Sequence, residues 1–237
     1  MIPLKNWDNK TWLSSKKYIY SFNTFITKQV QLNKNSRILD IGCGRGKIID
    51  NLLSKFKLLN KPIGLDTENH KDKSKKIIFK NIDAITFVSK TKITFDLILI
   101  KQTIHLIKKN QITKLLSICK KRLNPNGKII ILSIDPKKNE LPTFFLMKKK
   151  LKISLEKDEK LFNLICKISP RIIKKRFIYN VSISKAKYLQ MIKNRYISTL
   201  LNFSNQEITN GLKEIKSRYG NVIKFQDRLI CFIIKNN

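Results

Sequence analysis

A chain of 237 residues, 42% of them hydrophobic, is long enough to bury one α/β domain of ordinary size, which excludes a disordered chain. The formal net charge is +34, but 42 Lys against 8 Arg, beside 38 Ile, 22 Asn and 2 Ala, reads as AT-biased codon usage. A nucleic-acid footprint leans instead on the bidentate Arg fork. Cys43, Cys119, Cys166 and Cys231 are far apart with no Cys-x-x-Cys pair, which excludes a zinc finger and argues against a disulfide framework.

The N-terminus, MIPLKNWDNKTW, lacks the basic-then-apolar order of a signal peptide. No apolar run approaches the roughly 18–20 residues needed to span a bilayer, so a soluble cytoplasmic protein is the expectation. Trp12, Tyr18, Tyr20 and Phe22 then mark an aromatic helical segment ahead of the first strand.

From Ser36 to Asp135 short β-branched runs alternate with helical patterns. The runs are Arg37–Ile41, Pro62–Leu65, Ile77–Ile82, Phe95–Ile100 and Lys128–Ile134. Several lack strict alternation, as strands buried on both faces do. Ile112, Leu115, Leu116, Cys119 and Leu123 fall at helical spacing, with Lys120, Lys121 and Arg122 in the final turn and Asn124-Pro-Asn-Gly127 as the stop. Strand–helix–strand units of this length predict right-handed crossovers and a parallel sheet with helices on both faces.

The last hundred residues differ. Leu141 to Ile168 reads as a lysine-rich helix carrying Phe144-Phe-Leu-Met147, and Arg176 to Ile183 as a strand. A helix is predicted through Tyr188, Ile192, Tyr196 and Leu200. Ser204 and Glu207 form a capping box for another helix, with Gly220 as its stop. Val222 to Ile234 is strand-like, with a break expected near Gln226-Asp227.

Three of only 7 glycines lie in Asp40-Ile-Gly-Cys-Gly-Arg-Gly46, between the first strand and a helix starting near Lys47. Glycines there let the backbone turn sharply and approach a ligand. A dinucleotide fingerprint needs its third glycine at the position of Lys47, and a P-loop needs Ser or Thr where Ile48 stands, so both fail. The segment Leu39-Asp-Ile-Gly-Cys-Gly-Arg-Gly46 resembles the first motif of class I S-adenosylmethionine-dependent methyltransferases. Gly64-Leu-Asp66, Ile82-Asp-Ala84, Phe95 to His105 and Leu123 to Ile129 resemble the later motifs in order. The likeness is greatest to the small-molecule, type 11-like branch.

The resemblance implies a Rossmann-like fold: α/β, doubly wound, with a mostly parallel seven-stranded sheet and a helical cover toward the C-terminal half. It implies one domain, with residues 1–35 as a helical lid, 36–135 as cofactor-binding core, 136–203 as variable substrate cover, and 204–237 completing the sheet. S-adenosylmethionine is the implied cofactor. Asp66 would accept from the ribose hydroxyls, and Asp83 from the adenine amine with Ala84 donating a backbone N–H. Asp40 and the loop of Gly42, Cys43, Gly44 and Gly46 would face the methionine end, with Lys101 completing the set. His105 follows the fourth strand and is the candidate catalytic residue, either a base or an orienting group. Singly, Asp40, Asp66 and Asp83 read equally as caps or turn residues.

For the acceptor, absences are the guide. No Asn/Asp-Pro-Pro-aromatic motif follows the fourth strand, no cysteine has an RNA cytosine-C5 context, and no RNA-binding module is appended. A small molecule is expected, with O-methylation of an organic acid as one form. Phe144 to Met147 would line its pocket or else belong to the core. RNA or protein methylation through the basic surface, and a non-catalytic cofactor-binding subunit, are the alternatives. Oligomeric state is left open.

Overall fold

A computed structural model describes residues 11–236. Its seven strands are β1 (Ile38–Ile41), β2 (Ile63–Asp66), β3 (Ile78–Asn81), β4 (Phe95–Lys101), β5 (Leu123–Ile134), β6 (Ile173–Ser184) and β7 (Val222–Lys235). They form one sheet in the order β3-β2-β1-β4-β5-β7-β6. The first five run parallel, whereas β7 lies antiparallel between β5 and β6. The helices are α1 (Lys16–Thr27), α2 (Lys47–Phe56), α3 (Ala84–Lys90), α4 (Lys109–Lys120), α5 (Phe145–Ile168), α6 (Lys185–Lys193) and α7 (Asn205–Arg218).

The unbroken apolar runs follow from burial on both faces. Along β4, Leu97 and Leu99 join one core cluster while Ile98 and Ile100 join the other. The same alternation divides Ile129 to Leu132 in β5. One face carries α1, α2, α6 and α7; the other carries α3, α4 and the end of α5. By this period of two, Asp40 in β1, Lys101 in β4 and Asp227 in β7 share the α1 face with Ile38, Leu99 and Leu229.

Four boundaries depart from the sequence reading. Helix α4 ends at Lys120, and Leu123 opens β5, whose Asn124–Gly127 segment bulges against Phe95. Helix α5 begins only at Phe145, after the extended Phe144; Pro142 keeps Leu141 out of the helical region. Helix α6 stops at Lys193; Arg195 takes φ 52°, and Ser198–Leu200 forms a separate 3-10 turn. Strand β7 runs through Gln226-Asp227 without a break, pairing Asp227 with Tyr179. In addition, residues 67–77 join β2 to β3 as an irregular loop instead of a helix.

The aromatic segment before β1 is packed on the sheet. Trp12, Tyr18 and Phe22 are buried, while Tyr20 is 65% exposed. Tyr18 meets Phe177 and Tyr179 edge-on, and Trp12 meets Phe225. These contacts seat the start of α1 against β6, close to Lys101 at the end of β4.

Candidate active site

The loop after β1 turns through three left-handed glycines, Gly42, Gly44 and Gly46, at φ 72°, 53° and 70°. Backbone bonds from Gly42 N (2.8 Å) and Cys43 N (3.0 Å) to Leu65 O tie it to β2. A Cβ on Gly42 would stand 2.1 Å from the Thr103 hydroxyl, so that glycine lets the loop pack on the turn after β4. A Cβ on Gly44 would meet nothing within 4 Å. Its outer side is therefore open, as a surface against which a ligand lies must be. The Cys43 thiol instead packs inward, 2.7 Å from where Gly64 would carry a Cβ, and burial pushes its pKa up. Cys43 serves the site through its backbone.

Three carboxylates predicted from the motifs stand around this loop in different states. Asp66, at the end of β2, accepts from Gly44 N (2.8 Å) on Oδ2 and from Glu68 N (2.9 Å) on Oδ1. Burial alone would raise its pKa, but His70 and those two N–H groups outweigh it and hold the carboxyl below the usual range. Asp40 is 3% exposed, and its Oδ1 is buried without a hydrogen-bond partner among the described residues. Burial pushes its pKa to about 7; Lys101 opposes the shift and Asp66 adds to it. Asp83 is exposed and caps α3, accepting from Thr86 N at 3.0 Å, with Ala84 as the first helical residue. Here the capping role is realised, and an N-cap leaves the early N–H groups of the helix available.

The α1 face brings a further group into the site. Lys101, 9% exposed, donates to Gln102 Oε1 at 2.9 Å and lies over the rings of Tyr18 and Phe22, 5.4 and 5.5 Å from their centroids. It faces Asp40 on one side and Asp227 on the other. Asp227, 5% exposed, accepts from Trp12 Nε1 at 3.0 Å and faces Tyr18. Burial raises its pKa, with Trp12, Lys101 and Tyr18 pulling the other way. Sequence reading missed Asp227 by treating it as a turn. The usable signal was its place in the alternating series Ile223, Phe225, Asp227, Leu229, Cys231, where a carboxylate interrupts the inward-facing apolar residues.

His105 sits in the 3-10 turn Ile104–Leu106 that follows Thr103. Its Nδ1 is buried with no partner among the described residues, and burial lowers its pKa to about 4. The imidazole is therefore neutral near pH 7 and can accept a hydrogen bond but not act as a cation. The Phe144–Met147 cluster is divided: Phe144 and Met147 are fully buried, Phe144 against Phe203, while Phe145 is 56% and Leu146 38% exposed.

Comparison with known proteins gives the family and the fold. A family model described as a methyltransferase domain matches residues 16–163, from α1 into α5. A solved putative methyltransferase from an antibiotic biosynthesis pathway of Anabaena variabilis superposes with TM-score 0.62 at 14% identity, covering 90% of this chain and 96% of that one. The plantazolicin methyltransferase BpumL, in complex with a monoazolic desmethylPZN analog and SAH, gives TM-score 0.54 at 18% identity, covering 98% and 88%. These two likenesses speak for the fold. A search of curated proteins gives no match.

Proposed function

We propose, from the premise that this chain belongs to the methyltransferase-domain family, that it methylates a small molecule carrying a hydrogen-bond donor, approaching from the β4 and β7 side. S-adenosylmethionine is the methyl donor. The observation that carries the reading is the open outer side of Gly44, bonded to Asp66, on the loop that follows Asp40 and its buried, unpartnered oxygen. That donor set suits the cofactor: vicinal hydroxyls need an acceptor-only carboxylate, which Asp66 supplies, and a cation needs the negative charge of Asp40. When bound, the cofactor supplies a sulfonium-activated methyl group.

The chain's own contribution is placement. Asp66 and the glycine loop would hold the ribose, and Ala84 N–H with Asp83 the adenine. Lys101 opposes the burial that raises the pKa of Asp40 and of Asp227, holding both nearer the ionised form. Asp227 and the neutral His105 are both acceptors, so they would orient an acceptor's N–H or O–H toward the methyl group. Holding reactants in line supplies much of the rate of such a transfer. An organic acid fits this lining poorly, since it would meet Asp227 and Asp40, and the expected apolar lining is divided between buried Phe144 and Met147 and exposed Phe145 and Leu146.

Incubating the protein with methyl-tritiated S-adenosylmethionine and a cell extract tests the reading. Enzyme-dependent label in the acid-soluble fraction is expected. Label confined to precipitate sensitive to nuclease or protease would transfer the function to RNA or protein.

A further inference from the structure

The loop joining β2 to β3 replaces a helix with a polar, lysine-rich segment, residues 67–77, that includes Lys71, Lys73, Lys75 and Lys76. Such a segment has little reason to bury anything, yet His70 is 4% and Ser74 6% exposed. Ser74 fastens the loop to the glycine turn and to α2. Its N donates to Arg45 O at 2.9 Å and its hydroxyl to Asp50 Oδ2 at 2.7 Å. At the other end, Glu68 N binds Asp66 Oδ1. The loop is thus anchored on both sides of the site, and His70 is carried inward between the anchors. Its Nε2 lies 3.7 Å from Asp66 Oδ2, the oxygen that also accepts from Gly44 N. That separation is slightly longer than a hydrogen bond, and a small rotation of either side chain closes it.

We propose that His70 is a positioning residue, which braces the Asp66 carboxylate against the glycine loop so that its remaining lone pairs face the cofactor ribose. The inference rests on the reading of Asp66 as the ribose acceptor. Physically, a carboxylate at a strand end can rotate about its side-chain bonds, and each rotamer that points away from the ribose costs affinity. Backbone donors hold each oxygen once, Gly44 N on Oδ2 and Glu68 N on Oδ1, and the imidazole closes the side of Oδ2 that faces the loop. Losing it would widen the rotamer distribution without touching the methyl-transfer end of the site. The effect belongs in cofactor affinity and KM, leaving kcat at saturating cofactor nearly unchanged.

Calorimetric titration with S-adenosylhomocysteine on the full chain tests this through a double-mutant cycle. His70→Ala is expected to raise Kd about threefold to tenfold, the range of one hydrogen bond or ion pair to a charged group. In an Asp66→Asn background the same change is expected to add nothing, because the two act as one unit. His70→Gln, which keeps an N–H donor, is expected to stay within about twofold of the parent. An unchanged Kd in His70→Ala, an equal loss in the Asp66→Asn background, or a glutamine variant as weak as alanine each overturns the brace. Asp66→Asn binding as tightly as the parent overturns the ribose assignment itself, a separate outcome. Far-ultraviolet circular dichroism of each variant confirms that the fold is intact, and His70→Gln serves where His70→Ala does not fold.

Discussion

Gly42 and Gly44 share a left-handed backbone for different reasons, and substitution separates them. At Gly42 an added methyl collides with Thr103, so Gly42→Ala must push the β4 turn away. It is expected to lower stability by more than the roughly 1–2 kcal/mol that the left-handed region costs an L-residue. At Gly44 only that backbone cost applies, because the space outside is open. Gly44→Ala should therefore fold, with a melting point a few degrees lower, and lose S-adenosylhomocysteine affinity at least tenfold, because the methyl occupies ligand space. Binding within twofold of the parent would remove Gly44 from the cofactor surface. The glycine cluster and the strand-end carboxylates were legible because each is local to one strand and its turn. Asp227 was not, since its partner Trp12 lies 215 residues away, and His70, though only four residues from Asp66, sits in a loop whose sequence has no periodicity to mark it as inward-facing.

Among the elements, α7 was the most legible, because its start is written in two side chains. Ser204 accepts from Glu207 N at 3.1 Å and Glu207 answers to Ser204 N at 2.7 Å. Ser204→Ala is expected to cost about 1 kcal/mol, measured as a shift in urea midpoint with unchanged slope. The end of α6 was illegible for a complementary reason. Tyr188, Ile192, Tyr196 and Leu200 keep a four-residue spacing, and all four are buried. Yet the chain leaves the helix at Arg195, whose φ of 52° carries no signature in an arginine. Its guanidinium explains the choice, donating to Leu200 O at 2.6 Å and Asn205 Oδ1 at 3.1 Å. Arg195→Gly relieves the backbone but forfeits both bonds. Arg195→Asn, which tolerates the same φ, isolates the loss of the guanidinium. Both variants are expected to unfold at lower urea than the parent, and equal or higher midpoints would show that backbone strain outweighs the bonds.

Across the whole molecule, a surface of net charge +34 encloses a site where Asp40 and Asp227 share Lys101. That imbalance links ligand, proton and fold. The pKa of Asp40 is raised to about 7 from 3.8. Between those values the folded protein holds a proton that the unfolded chain releases, so this group's contribution to stability falls as pH rises through about 7. Asp227 is shifted in the same direction. The ligand-free protein should thus melt at higher temperature at pH 6 than at pH 8, and Asp40→Asn should flatten that difference. Cofactor affinity runs the opposite way, because a cation needs Asp40 ionised. Between pH 6 and pH 8 the Kd for S-adenosylmethionine is expected to fall several-fold, at most tenfold per pH unit below the pKa. S-adenosylhomocysteine keeps the α-ammonium but lacks the sulfonium, so an equal pH dependence places Asp40 at the amino group and a smaller one places it at the sulfur. Asp40→Asn should bind S-adenosylmethionine weakly and with little pH dependence. If that variant keeps the parental slope, the titrating group lies elsewhere, and the unpartnered oxygen of Asp40 is not what meets the cationic end of the methyl donor.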